Sequence, residues 1–206
     1  MSQFNKAQEI YEVLLQQTKN ESDKAPNYYQ LGRIKYSQGE YSEALSFYEK
    51  ALAILQQSLP SNHPNFTSLY MGIANVYYSM ADYPEALSYY EKDLAIIQQS
   101  LPSNHPDLAM SYNNLGSVYY SMSDYSKALS YYEKALAIRQ QSLPSTHPDL
   151  GASYNNIGVV FENMGNYSKA DSFYERAVQN GQQSSPPNHP TPQHRTKNLE
   201  NIKKKL

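Results

Sequence analysis

Along most of this chain the apolar and small residues fall in columns that return every 42 positions, with polar residues between them. Tyr28, Tyr70, Tyr112 and Tyr154 form one column, and Leu31, Ile73, Leu115 and Ile157 follow three residues later, a spacing that puts each pair on one helix face. The next column is small: Gly32, Ala74, Gly116 and Gly158 let a second helix approach closely. Three residues on stand Lys35, Tyr77, Tyr119 and Phe161, with Lys35 the departure. Gly39, Ala81, Ser123 and Gly165 predict a turn, and Tyr41, Tyr83, Tyr125 and Tyr167 open a second helix. Pro84 falls in its first turn, where a missing N–H costs nothing. Within that helix Ala44, Ala86, Ala128 and Ala170 mark the close crossing, and Tyr48, Tyr90, Tyr132 and Tyr174 lie one turn further. Ala51, Asp93, Ala135 and Ala177 complete the pattern, and Asp93 puts a carboxylate where its equivalents are alanine.

The connections repeat too. Ser-Leu-Pro-Ser-Asn-His-Pro occupies 58–64 and 100–106, with a Thr variant at 142–148 and a degraded copy at 184–190, so His63, His105, His147 and His189 share one spacing. A short unit copied in tandem buries its apolar face against its neighbours, which predicts an all-α solenoid of helix pairs. Function is then expected on the surface of a stack.

The formal net charge of −2 over 206 residues gives no basis for a nucleic-acid or anionic-membrane partner. The one basic run, Lys203, Lys204 and Lys205, reads as a solvated helix end that complements the dipole. Without cysteine there are no disulfides and no thiolate metal sites. No apolar run approaches the roughly 20 residues of a membrane span, and no signal-peptide pattern opens the chain, so a soluble cytoplasmic protein is expected. Glycosylation tripeptides begin at Asn20, Asn65 and Asn166 and would matter only in a secreted chain.

The order aromatic, Leu-Gly, aromatic, small turn residue, Tyr, Ala, Tyr and Ala resembles the tetratricopeptide repeat, a helix-turn-helix unit normally of about 34 residues. Eight extra residues per unit lengthen the second helix and supply the His-Pro connection. This longer form, with the Asn-Asn-Leu-Gly of Asn113 to Gly116, is similar to the kinesin light chain type of repeat. It is also similar to arrays that follow an ADP-ribosyltransferase domain in some proteins. The resemblance implies a right-handed superhelical solenoid and divides the chain into a half-repeat at 1–25, full repeats at 26–66, 67–108, 109–150 and 151–190, and a capping helix at 191–206. Phe4, Ala7, Tyr11 and Leu14 match second-helix columns, so the start reads as a fragment edge or as a half-repeat cap. Leu199 and Ile202 flanked by polar residues suit a cap at the other end, and the Ser-Ser-Pro-Pro-Asn-His-Pro-Thr-Pro stretch before it is expected to be a linker.

Candidate chemistry is sparse. Metal ligation needs donors converging at about 2.0–2.1 Å, whereas equivalent atoms in successive helical layers are about 8–10 Å apart, so the repeated histidines are expected to serve the inter-repeat turns. No nucleophile elbow, phosphate loop or metal spacing occurs, and the Glu-Lys dipeptides do not face each other on a helix. Neither an enzyme nor a cofactor is expected.

The resemblance implies an inner groove lined by first helices, and by the match its positions are Arg33, Tyr36, Asn75, Tyr78, Asn113, Asn114, Tyr120, Asn155 and Asn156, with Tyr29, Met71 and Glu162 beside them. Asparagine offers paired donors and acceptors to a peptide backbone and tyrosine adds flat apolar area with a polar end. The competing structural role is that the Asn column bridges neighbouring helices. Chaperone-binding members hold a terminal carboxylate with two Asn and three basic residues; here Asn75 and Asn114 match the former, but Met71, Ala152 and Asn156 stand where bases are needed. The expected function is a non-catalytic adaptor that binds a protein or peptide in the groove. The alternatives are a structural or self-associating array, using exposed ends or Phe47, Tyr89, Tyr131 and Phe173, and a regulatory fragment of a larger enzyme such as an ADP-ribosyltransferase.

Overall fold

In a computed structural model of the chain, residues 3–184 and 193–205 are described, and among them there is helix but no strand. His189 and the proline-rich stretch around it lie outside the described residues, as does the Phe4 side chain. The chain forms two compact units, residues 1–100 and 101–206. In the first, α1 (Gln3–Gln17) leads through a 3-10 turn to α2 (Ala25–Ser37), α3 (Tyr41–Ser58), α4 (Asn65–Ser79) and α5 (Tyr83–Ser100). The second holds α6 (Pro106–Ser121), α7 (Tyr125–Ser142), α8 (Pro148–Asn163), α9 (Tyr167–Ser184) and α10 (Gln193–Lys203). Consecutive helices pack as hairpins, α2 on α3, α4 on α5, α6 on α7 and α8 on α9. No helix among the described residues is long and apolar enough to cross a membrane.

The α2–α3, α6–α7 and α8–α9 hairpins close on one contact. A Cβ on Gly32, Gly116 or Gly158 would come within 2.6, 2.7 or 2.7 Å of the ring of Tyr48, Tyr132 or Tyr174, so the ring of the second helix lies flat against bare backbone of the first. All three tyrosines are buried, as are Leu31, Leu115 and Ile157 next to the glycines. In the first unit Tyr48 joins Ala44, Ala51, Leu69, Ile73 and Val76; in the second Tyr174 joins Ile157, Val160, Ala170 and Ile202 of α10. Asp93 is completely buried in the alanine column.

The turn inside every hairpin is the same Schellman closure. Glu40, Asp82, Asp124 and Asn166 donate their backbone N–H to the carbonyls of Lys35, Tyr77, Tyr119 and Phe161. The residue before each adopts the left-handed conformation, at φ 79° for Gly39, 61° for Ala81, 62° for Ser123 and 75° for Gly165. A Cβ there costs about 1–2 kcal/mol, against about 0.4–1 kcal/mol of unfolded-chain entropy that glycine adds. Ala81→Gly and Ser123→Gly are therefore expected to stabilise their units, by a few tenths to about 1 kcal/mol each. A lower urea midpoint for either variant would contradict this.

Lys35, the departure in its column, is buried beside the turn and reaches Glu40 and, at 2.8 Å, Glu43. At Tyr119 and Phe161, though not at Tyr77, where Glu85 stands, the residue at the Glu43 position is a lysine lying over the ring: Lys127 over Tyr119 at 5.0 Å and Lys169 over Phe161 at 5.0 Å. The cation changes helices, but the closures at Lys35, Tyr119 and Phe161 each keep one.

Candidate functional site

The repeated histidines act locally. The Nδ1 atoms of His63, His105 and His147 accept the backbone N–H of Asn65, Asp107 and Asp149 at 3.2, 3.2 and 3.3 Å, so each imidazole caps the helix that follows it. Asp107 and Asp149 then place a carboxylate in the first turn, where the helix dipole favours it.

The first helices carry a second regularity. Side chains separated by 43 residues bond across neighbouring first helices: Tyr36 with Ser79 at 3.1 Å, Asn156 to Asn113 at 3.2 Å, Asn163 to Tyr120 at 3.1 Å, Asn198 to Asn155 at 3.1 Å and Lys205 to Glu162 at 2.8 Å. Helix α10 thus keeps the register of a first helix. Its outer face departs from the pattern, since Glu200 and Lys203 occupy the small and aromatic columns and are exposed. Arg195 enters the seam against α8, where Gly151 makes room for it: a Cβ there would lie 2.3 Å from the guanidinium. Burial holds the Arg195 pKa below the ordinary guanidinium value, with Asp149 partly opposing the shift.

Four of the nine expected groove residues, Asn113, Tyr120, Asn155 and Asn156, belong to this ladder in the second unit. Asn114 is half-buried on the same helix as Asn113. In the first unit Tyr36 reaches Ser79, and Asn75 turns inward to accept from the Tyr90 hydroxyl. Tyr78 packs against Tyr83, with ring centres 5.8 Å apart. Arg33 bonds Gln30 and lies 6.0 Å from the centre of the Tyr29 ring. Phe47, Tyr89, Tyr131 and Phe173 are half-buried, each covered by a cation: Lys50, Lys92, Lys134 and Arg176.

Glu162 gains partners that column-by-column reading did not find. It accepts from the Tyr174 hydroxyl at 2.6 Å as well as from Lys205. Burial works to raise its pKa, but the hydrogen bonds from Lys205 and Tyr174 outweigh that and hold the carboxyl below the usual range. The signal available in the sequence was the 43-residue offset between Glu162 and Lys205.

Two family models described as tetratricopeptide repeat match the chain, one over residues 66–141 and 128–183 and the other over 28–65. Among solved structures, BtubC (BKLC) from P. vanneervenii is 26% identical, with a TM-score of 0.79 over 91% of this chain and 77% of that one. A kinesin light chain-like protein of Podosopora anserina with nearly identical TPR-like repeats is 24% identical, with a TM-score of 0.77 over 91% and 88% of the two chains. RapI in its apo form is 21% identical, with a TM-score of 0.74 over 86% and 62%. At these identities the latter two speak for the fold alone. Comparison with curated proteins gives no match.

Proposed function

This chain belongs to the tetratricopeptide repeat family, and we propose that it is a non-catalytic adaptor that takes a peptide segment along its first-helix face. Repeats of this family generally mediate protein–protein interaction and are typically non-catalytic scaffolds. The finer reading assigns the peptide to Arg33, Tyr36, Asn75 and Tyr78 in the first unit, and to Asn113, Asn114, Tyr120, Asn155 and Asn156 in the second. The observation that supports it is the asparagine ladder. The bond between Asn156 and Asn113 engages one half of each amide, and both side chains stay half-buried rather than buried like Asn155, which leaves their opposite halves competent to pair with a peptide backbone. Being held by a neighbour also fixes their rotamers beforehand, which lowers the ordering cost of binding.

The test uses Asn113→Ala and Asn156→Ala with a peptide selected on the wild-type protein from a displayed random library. Each change is expected to weaken binding by about 0.5–1.5 kcal/mol, beyond any loss of folded fraction, if a neutral hydrogen bond is removed. Thermal melts of the same variants give the folded fraction. Affinities unchanged after that correction would remove the ladder from recognition and leave it a purely structural seam. A second reading, self-association, is favoured by the exposed stripe Ile10, Val13 and Leu14 on α1, and light scattering separates a dimer from a monomer.

A further inference from the structure

In the second unit Tyr119 of α6 and Tyr131 of α7 lie nearly parallel, with ring centres 5.4 Å apart and planes 6° from each other. The first unit holds the same pair one repeat earlier, as Tyr77 and Tyr89 at 5.8 Å and 13°. One repeat later the two positions carry Phe161 and Phe173 at 5.6 Å and 26°, so packing here asks for flat rings and not for hydroxyls. The phenols at 119 and 131 therefore bring a reactivity that the stack itself does not need. Both rings are half-buried, and a lysine lies over each, Lys127 over Tyr119 at 5.0 Å and Lys134 over Tyr131 at 5.1 Å. Screened in this way from other molecules, each phenol faces the aromatic groups of its own hairpin. The phenol pair at the turn of that hairpin, Tyr120 and Tyr125, is farther apart at 5.8 Å and tilted by 52°.

We propose that Tyr119 and Tyr131 form an oxidative crosslinking site, at which a one-electron oxidant, such as a haem peroxidase supplied with peroxide, joins the two rings and staples α6 to α7. In that step each phenol gives up one electron and its hydroxyl proton, and the two radicals join through a new carbon–carbon bond between ring positions ortho to oxygen. The hydrogens at those positions then leave as protons while both oxygens are reprotonated, which restores two phenols. Peroxide takes up the electrons and protons, its O–O bond breaks and two waters form. Because the helices already hold the rings side by side, coupling requires little further ordering. The bond gives a chain without cysteine a covalent link between helices.

The experiment treats the whole chain with a haem peroxidase and limiting hydrogen peroxide, isolates the monomer and digests it with trypsin. Cleavage after Lys127 separates the two tyrosines, so the crosslink shows as peptides 93–127 and 128–134 joined, lighter by two hydrogen atoms than their sum. Fragment spectra then place the bond. The joined peptides are expected from wild type, to be lost in Tyr119→Phe and in Tyr131→Phe, and to persist in Tyr125→Phe. Phenylalanine keeps the ring, as Phe161 and Phe173 do one repeat later, and circular dichroism checks that each variant is folded. In urea that unfolds the chain the yield is expected to fall, because the stack is gone. A joined product undiminished in Tyr119→Phe, a yield no lower in the unfolded chain, or oxidation that links only separate molecules would each overturn the site. So would a wild-type chain that stays unlinked under conditions that couple free tyrosine.

Discussion

Raising the pH above about 10, the ordinary tyrosine value, is expected to destabilise both units, by about 1.4 kcal/mol per pH unit for each buried phenol that stays protonated in the folded chain. Burial pushes the phenols of Tyr48 and Tyr90 in the first unit well above that value, and that of Tyr174 in the second, where the Glu162 carboxylate adds to the shift. Groups with raised folded-state values contribute stability that is complete below the unfolded value and is lost as pH rises toward the folded one. Between those limits each protonated phenol in the folded chain faces an ionised one in the unfolded chain, and each contributes about 1.4 kcal/mol per pH unit to the slope. Urea titrations at neutral and alkaline pH, followed by tyrosinate absorbance, measure the effect. Equal midpoints on both sides of the tyrosine range would show that these rings reach water without unfolding.

Tyr174→Ala is expected to cost the second unit about 3–5 kcal/mol, a large share of the stability of an ordinary domain. The ring is fully buried, it covers the bare backbone of Gly158, and its hydroxyl donates to Glu162 at 2.6 Å. Removing the ring opens a cavity that two helix backbones cannot collapse to fill. Tyr174→Phe keeps the ring and deletes only the hydroxyl, so it is expected to cost about 1–2 kcal/mol, with Lys205 still serving the carboxylate. Guanidinium unfolding curves for the two variants give the difference. If the phenylalanine variant lost as much as the alanine variant, the hydroxyl and not the ring would carry the site.

The sequence made the helix pairs legible because burial imposes a column structure that survives substitution. Gly32, Gly116 and Gly158 marked where a second helix comes close, though the structure was needed to show that the rings of Tyr48, Tyr132 and Tyr174 fill that approach, and the turn at Gly39 could be carried over to Ala81 and Ser123 despite their Cβ atoms. The asparagines were less legible. Their column marked a shared face, but an amide on that face can address a ligand or a neighbour, and only the positions of α6, α8 and α10 show Asn156 reaching back to Asn113 and Asn198 to Asn155. Lys35 looked like an exception for a related reason: its partners Glu40 and Glu43 lie beyond the turn, and pairing across a turn follows from backbone closure, which no single column records.

The 43-residue offset also restricts how such an array can change its length. A donor on one first helix meets its acceptor on the previous one only if the connecting hairpin has the same number of residues, so an insertion of one or two residues inside a hairpin would leave amides facing the wrong neighbour. Copying or deleting a whole 42-residue unit keeps the register of these positions, although the side chains that meet differ from seam to seam: Tyr36 with Ser79, Tyr120 with Asn163 and Glu162 with Lys205. Growth and shrinkage of this chain by duplication are in that sense quantised, and whole units are the natural increments for shortening or extending it by design.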